Sequence, residues 1–168
     1  LEQPLGVAFL GPWGTFSESA ASKHFGQSAR LLPQISIDDV FREVESGHAQ
    51  YAVVPVENSG QGTIQVTLDM FLTSPLRICG EVELRVHQYL LSRSGHLEDV
   101  ERIFGHPQSL AQTAGWLRTN LPCVEKIPVS SNAEGARRAR DEAGTAAIAG
   151  DAAAEVYGLQ KLVTDIED

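Results

Sequence analysis

Cysteine is scarce in this chain: 168 residues contain two, Cys79 and Cys123, far apart and outside any C-x-x-C spacing. That excludes a disulfide scaffold and a cysteine zinc site, and a reduced, cytoplasmic setting is expected. Basic charge is scarce as well, with 13 Lys and Arg against 22 Asp and Glu and a formal net charge of −9. No basic surplus exists to displace counterions from a phosphate backbone, so a general nucleic-acid binder is excluded, although a local basic pocket is not. No apolar run approaches the length of a bilayer span, and the opening "LEQPLGVAFLGPWG" lacks both the basic start and the long apolar core of a secretory leader. Neither a membrane location nor export is expected. Also missing are H-E-x-x-H, G-x-S-x-G, and any His and carboxylate cluster at metal-ligand spacing, so no metal site is expected.

What is present is a hydrophobic share of 42%, enough for one compact domain or two small lobes with a real core. Short apolar strands alternate with helical patterns, the signature of an α/β fold with mostly parallel sheets. Strands are predicted at Gly6–Leu10, Arg30–Pro33 and Tyr51–Val56. Helices are predicted over "GTFSESAASKHFG", "SIDDVFREVESG" and "TIQVTLDMFLTS"; Thr15 with Glu18 has capping-box spacing, and Ser36 is a candidate cap. The run "LRICGEVELRVHQYLLSR" then alternates polar and apolar residues and reads as one or two strands of a more antiparallel kind. It looks like a crossover between lobes. The βα rhythm resumes with strands at Arg102–Phe104, Val124–Ile127 and Ala146–Ala149 and helices over "PQSLAQTAGWLRTN", "SSNAEGARRARDEA" and "DAAAEVYG", before a last strand in "LQKLVTDIED". Lobe 1 is expected at about residues 1–76 plus the C-terminal end, and lobe 2 at about 77–158.

In open α/β sheets ligands sit beyond the carboxyl ends of strands, so the strand-to-helix turns matter most. Four are chemically rich. In "GPWGTFSE", Gly11 and Gly14 permit a tight turn, and Thr15 and Ser17 stand at a helix start that either is simply well capped or binds an anion such as a carboxylate. In "VVPVENSGQG", a strand expected to be buried on both faces from Val53 to Val56 ends in Glu57, Asn58 and Ser59. These read equally as turn formers with a surface acid or as one side of a ligand site. Pro55 cannot donate a ladder hydrogen bond, which hints at an edge or a kink. In "FGHPQSLAQTAGWL", His106 precedes Pro107 as either a cap or a ligand-orienting group, and Gln108 and Gln112, four apart on one helical face, could present amides to carboxylates. In "PVSSNAEGA", Ser131 and Asn132 open a helix, Ser131 and Glu134 again at capping-box spacing. The Arg137, Arg138 and Arg140 run reads as a solvated helix face; Trp13 and Trp116 read as packing residues, Trp13 inside the glycine turn.

Taken together and in this order, "VAFLGPWGTFSESAA", "YAVVPVENSGQGTI", "IFGHPQSLAQTAGWL", "SSNAEGARRA" and "AAIAGDAAAEVYGLQKL" resemble prephenate dehydratase. The resemblance spans nearly the whole chain and joins several separated motifs. It implies two α/β lobes around a central cleft, like type 2 periplasmic binding proteins. The implied reaction is conversion of prephenate to phenylpyruvate with loss of water and carbon dioxide, a carbon–oxygen lyase reaction of phenylalanine biosynthesis that needs no cofactor. Carried over by position, Glu57, Asn58, Ser59 and Gln112 are the expected catalytic residues, and Thr15, Ser17, His106, Gln108, Ser131 and Asn132 the expected substrate-binding residues. The start resembles the junction in bifunctional proteins whose chorismate mutase domain precedes the dehydratase, so an excised middle domain is expected, and the family implies a homodimer for the full-length protein.

The sequence departs from the family pattern in three places. Gly105 stands where a serine commonly precedes His-Pro-Gln, and Thr113 where cysteine is common. The family's Thr-Arg-Phe motif, whose threonine is regarded as the proton donor, does not follow "TDIED", and the regulatory ACT domain is absent too. A chain that folds and binds ligand weakly, with little or no dehydratase activity, is therefore expected. The alternative is a non-catalytic domain of similar two-lobed fold that binds an amino acid or small carboxylate. A nucleotide-dependent transferase using "GPWGTFS" as a phosphate loop is not expected, since no Gly-Lys-Ser/Thr follows.

Overall fold

A computed structural model describes residues 3–168. The chain divides into two compact units, the first ending at Leu84 and the second running Arg85–Asp168.

The first unit begins with β1 (Gly6–Leu10), α1 (Phe16–Phe25), β2 (Arg30–Gln34), α2 (Ile37–Glu45) and β3 (Tyr51–Val53). Its three strands form a parallel sheet in the order β2-β1-β3. Alternation along β1 explains the two-sided core: Val7 and Phe9 pack with Ala21 on one face, and Ala8 packs with Val40 and Ala49 on the other. After β3 come two short pieces, β4 (Glu57–Asn58) and β5 (Gly62–Thr63), paired as a small antiparallel hairpin, and then α3 (Gln65–Thr73).

The second unit contains β6 (Tyr89–Ser92), β7 (Arg102–Gly105), α4 (Pro107–Gln112), α5 (Ala114–Asn120), β8 (Glu125–Pro128), α6 (Asn132–Asp141), β9 (Thr145–Ala149), α7 (Asp151–Tyr157) and β10 (Gln160–Val163). Its sheet runs β10-β6-β9-β7-β8; β7 is parallel to β8 and β9, while β6 is antiparallel to β9 and β10. Tyr89, Leu91, Ala147 and Ala149 face α6 and α7, whereas Leu90, Ala146 and Ile148 face Leu117 of α5 and Ile166. The small residues of β9 allow close helix packing. A Cβ on Gly135 of α6 would meet Phe104 Cβ at 3.2 Å and Val129 Cγ2 at 3.3 Å, so that helix sits almost on the strand.

The expected α/β class with mostly parallel sheets is borne out, and several details differ. The strand expected over Tyr51–Val56 stops at Val53, because Pro55 has no N–H for a ladder and its carbonyl instead accepts from Thr67 Oγ1 at 2.6 Å. Val53 and Val54 pack, half-buried, against the clusters on opposite faces of the sheet, but the burial does not reach the end of the run: β3 is an edge strand and Val56 is 47% exposed. The long alternating run yields one strand only, β6, antiparallel as expected. The helix expected over "PQSLAQTAGWLRTN" is two, α4 and α5, broken at buried Thr113, whose hydroxyl donates to Ser109 O at 2.8 Å. The C-terminal end, grouped with the first lobe by sequence, pairs with β6 inside the second unit. Arg138 is not part of a solvated face: its guanidinium lies 4.1 Å from the Phe104 ring centroid and pairs with Glu142 at 2.8 Å. Among the described residues, no helix is long and apolar enough to cross a membrane.

Candidate active site

In the first unit, Thr15 is the N-cap of α1. Its Oγ1 accepts from the Glu18 N–H at 3.3 Å and donates to Leu10 O at 3.2 Å, which ties the helix start to the end of β1. Glu18 completes the box one residue early, taking the Gly14 N–H at 2.5 Å. The Ser17 hydroxyl, half-buried in the first turn of α1, has no hydrogen-bond partner among the described residues. At the β4-β5 hairpin Asn58 is a turn former: its Oδ1 accepts from Gly60 N at 2.8 Å and its carbonyl from Gln61 N at 3.2 Å. Glu57 and Ser59 beside it are exposed.

The second unit gathers its candidate residues into one hydrogen-bonded cluster. Asn132, at the start of α6, accepts the His106 N–H on Oδ1 at 3.0 Å and donates from Nδ2 to Ser109 Oγ at 2.7 Å. The same Ser109 oxygen accepts from Gln88 Nε2 at 3.2 Å, and Gln88 Nε2 also donates to Gln112 Oε1 at 3.3 Å. His106 caps α4, its Nδ1 accepting from Gln108 N at 3.2 Å, with Pro107 at the first helical position as its missing N–H allows. Ser131 caps α6, accepting from Glu134 N at 3.0 Å. Thus His106, Gln112 and Asn132 share one network, Gln108 enters it through its backbone, and Ser131 stands at its edge.

Two members escaped the sequence reading. Ser109 lies three residues before Gln112 and so on the same helical face, a legible signal that passed unused. Gln88 carries no local signal, because its partners lie 21 and 24 residues away. Both are almost fully buried, at 4% and 2% exposure. Within the described residues Gln88 Oε1 and Gln108 Nε2 are buried without a partner. Gly105 leaves space that Leu110 fills: a Cβ there would meet Leu110 Cγ at 3.1 Å, so a serine at this position would require that side chain to shift.

The segment after β10 borders this network. Ile166 N donates to Gln88 O at 2.9 Å, Gln88 N to Glu167 Oε2 at 2.9 Å, and Asp168 N to Gln112 O at 2.7 Å. The Asp168 carboxylate also accepts from Gly115 N at 2.7 Å and Trp116 N at 3.0 Å, supplying the cap that α5 lacks. Burial works to raise the Glu167 carboxyl, but the backbone N–H groups of Gln88 and Glu167, with His87, outweigh it and hold it below the ordinary glutamate range. His87 Nδ1 lies 2.8 Å from Asp165 and 3.0 Å from Glu167. These three could offer a cation one atom each within 4.8 Å of one another, but both carboxylates already close on the imidazole nitrogen.

Chemically, the cluster is a wall of amides and hydroxyls held rigidly by mutual hydrogen bonds, suited to orienting an oxygen-rich ligand.

A family model described as prephenate dehydratase matches residues 7–168. The bifunctional chorismate mutase/prephenate dehydratase of Stutzerimonas stutzeri is 54% identical over all of this chain and 46% of its own length. The chain therefore spans about half the length of the curated relatives it matches. Among solved structures, prephenate dehydratase from Arthrobacter aurescens in complex with L-Phe has a TM-score of 0.89 at 34% identity, covering 98% of this chain and 56% of that one. GqqA, described as a novel type of quorum quenching acylase, has a TM-score of 0.88 at 30% identity, covering 97% and 60%.

Proposed function

This chain belongs to the prephenate dehydratase family, and on that premise we propose that it binds prephenate as the domain that carries out its decarboxylative dehydration to phenylpyruvate. The observation that carries the reading is that the family match runs through all four polar turns, residues 7–168.

In this reaction the bond between the ring and its carboxylate breaks, and its electron pair enters the ring. The ring becomes aromatic, and the hydroxyl on the opposite carbon departs with a proton as water. Carbon dioxide and phenylpyruvate are the other products. The protein must anchor two carboxylates, hold the ring and supply a proton. The Gln112 amide and the Ser109 hydroxyl are donors suited to a carboxylate oxygen; Asn132, with both ends of its amide occupied, holds His106 and Ser109 in place. By family position Glu57, Asn58 and Ser59 of the first unit are assigned to catalysis, and Thr15 and Ser17 of the first unit with His106, Gln108 and Ser131 of the second to substrate binding. Phenylalanine biosynthesis in the cytoplasm is the setting we assign, and a homodimer the assembly.

The Thr-Arg-Phe motif is not among these 168 residues, and no proton donor is assigned among them. Incubated with prephenate, this chain should form phenylpyruvate little faster than the uncatalysed background. A turnover number of ordinary enzymatic size, on the order of 10 per second, would place the donor among the residues described above. The likeness to GqqA supplies a control: hydrolysis of an acylase substrate with no binding of prephenate would overturn the proposal.

A further inference from the structure

Gln88 sits at the centre of the second unit's polar network, and the chemistry of amides fixes which way that network points. Asn132 Oδ1 accepts the His106 backbone N–H, so its Nδ2 must face Ser109. Ser109 Oγ thus accepts from Asn132 Nδ2 and also from Gln88 Nε2. A hydroxyl has two lone pairs and one hydrogen; with both lone pairs engaged, Ser109 is left as a donor, and no acceptor for it is found among the described residues. Gln88 Nε2 likewise engages Gln112 Oε1. The Gln112 NH2 is therefore turned away from Gln88, and it too has no partner among the described residues.

The arrangement leaves Gln88 Oε1 buried and unpartnered. Native structures rarely leave such a group. Rotating the Gln88 amide would give Oε1 the Ser109 proton, but it would bury an NH2 group with two hydrogens where the lone acceptor now lies. It would also require Gln112 to turn its own NH2 inward and present an oxygen outward. The two polarities of this framework thus offer a ligand opposite faces.

We propose that Gln88 is a positioning residue that sets this polarity, so that Ser109 and Gln112 both present hydrogen-bond donors and the α4 wall accepts a carboxylate. The proposal rests on the prephenate reading above and names the part of prephenate that this wall takes: one of its two carboxylate groups. Gln88 acts through Gln112 and Ser109.

The test uses the 168-residue chain, with prephenate titrated calorimetrically and the Gln112 side-chain NH2 followed by nitrogen-15 NMR. In the wild type the Gln112 NH2 resonances shift on adding prephenate. Gln88→Met removes both donated bonds at similar volume and should weaken prephenate binding about tenfold while abolishing that shift. Gln88→Glu demands donors from Ser109 and Gln112, turns an oxygen outward, and should bind more weakly than Gln88→Met. Should a buried carboxylate prevent folding, Gln88→Met decides alone. Affinity in Gln88→Met within about twofold of wild type overturns the proposal. So does weakening that merely tracks a lower melting temperature while the Gln112 NH2 still responds to prephenate, which assigns Gln88 to packing. Failure of the wild type to bind prephenate overturns the underlying reading instead.

Discussion

At the scale of single residues, the candidate site is legible where chemistry and local spacing coincide. His106 before Pro107, Gln108 and Gln112 on one helical face, and the caps Thr15, Ser36 and Ser131 could be read directly, and all three caps accept from the N–H three residues on. Gln88 could not be read, since only the fold brings it to Ser109 and Gln112. Asn58 shows the other side of the same lesson: its turn-forming reading describes its Oδ1, and a ligand role rests on family position. Asn132 is the residue whose loss should be felt most in the network. Asn132→Ala strips the acceptor from the His106 N–H and one donor from Ser109, and should destabilise the second unit by about 1–3 kcal/mol. A denaturation midpoint unchanged from wild type would show that water replaces the amide without cost.

Elements formed where periodicity and punctuation agreed. β1 and the helices α1, α2, α6 and α7 fall where apolar spacing, caps and terminal glycines put them. Elements failed where a side chain competes with the backbone. Pro55 ends β3 early, and Thr113 divides one helix into two by bonding Ser109 O. The run before β6 alternates without pairing, because alternation marks an extended chain but does not supply a neighbour. Helix α6 carries end signals at both termini, with Ser131 at its start, Glu134 in its first turn and arginines in its last. Ser131→Ala should cost about 1 kcal/mol by removing the cap, measured by chemical denaturation. Fraying should be confined to the first turn of α6, and hydrogen exchange that stays slow at Glu134 N would contradict the assigned role.

For the whole molecule, pH should act chiefly through carboxylates. Hydrogen bonding with Lys161 outweighs burial and holds Asp151 below its ordinary value, and Glu167 is held down as described above. A depressed carboxylate contributes stability that is fully present above its unfolded value and is lost as pH falls through the folded one. The unfolded values lie near 3.8 for Asp and 4.5 for Glu, so stability should be level at neutral pH and fall below that range. Glu167→Gln should flatten the acid limb; an unchanged limb would show that the Gln88 and His87 contacts contribute nothing to folding. The place of β10 was the whole-molecule feature hardest to read, because strand order in a sheet is set by packing between distant segments. The central claim is that this chain holds prephenate through the network around Gln112. Calorimetric titration of prephenate at neutral pH, on wild type and on Gln112→Ala, tests it most directly. Saturable binding that weakens about tenfold or more in the variant is the predicted result; absence of binding by the folded wild type would contradict it.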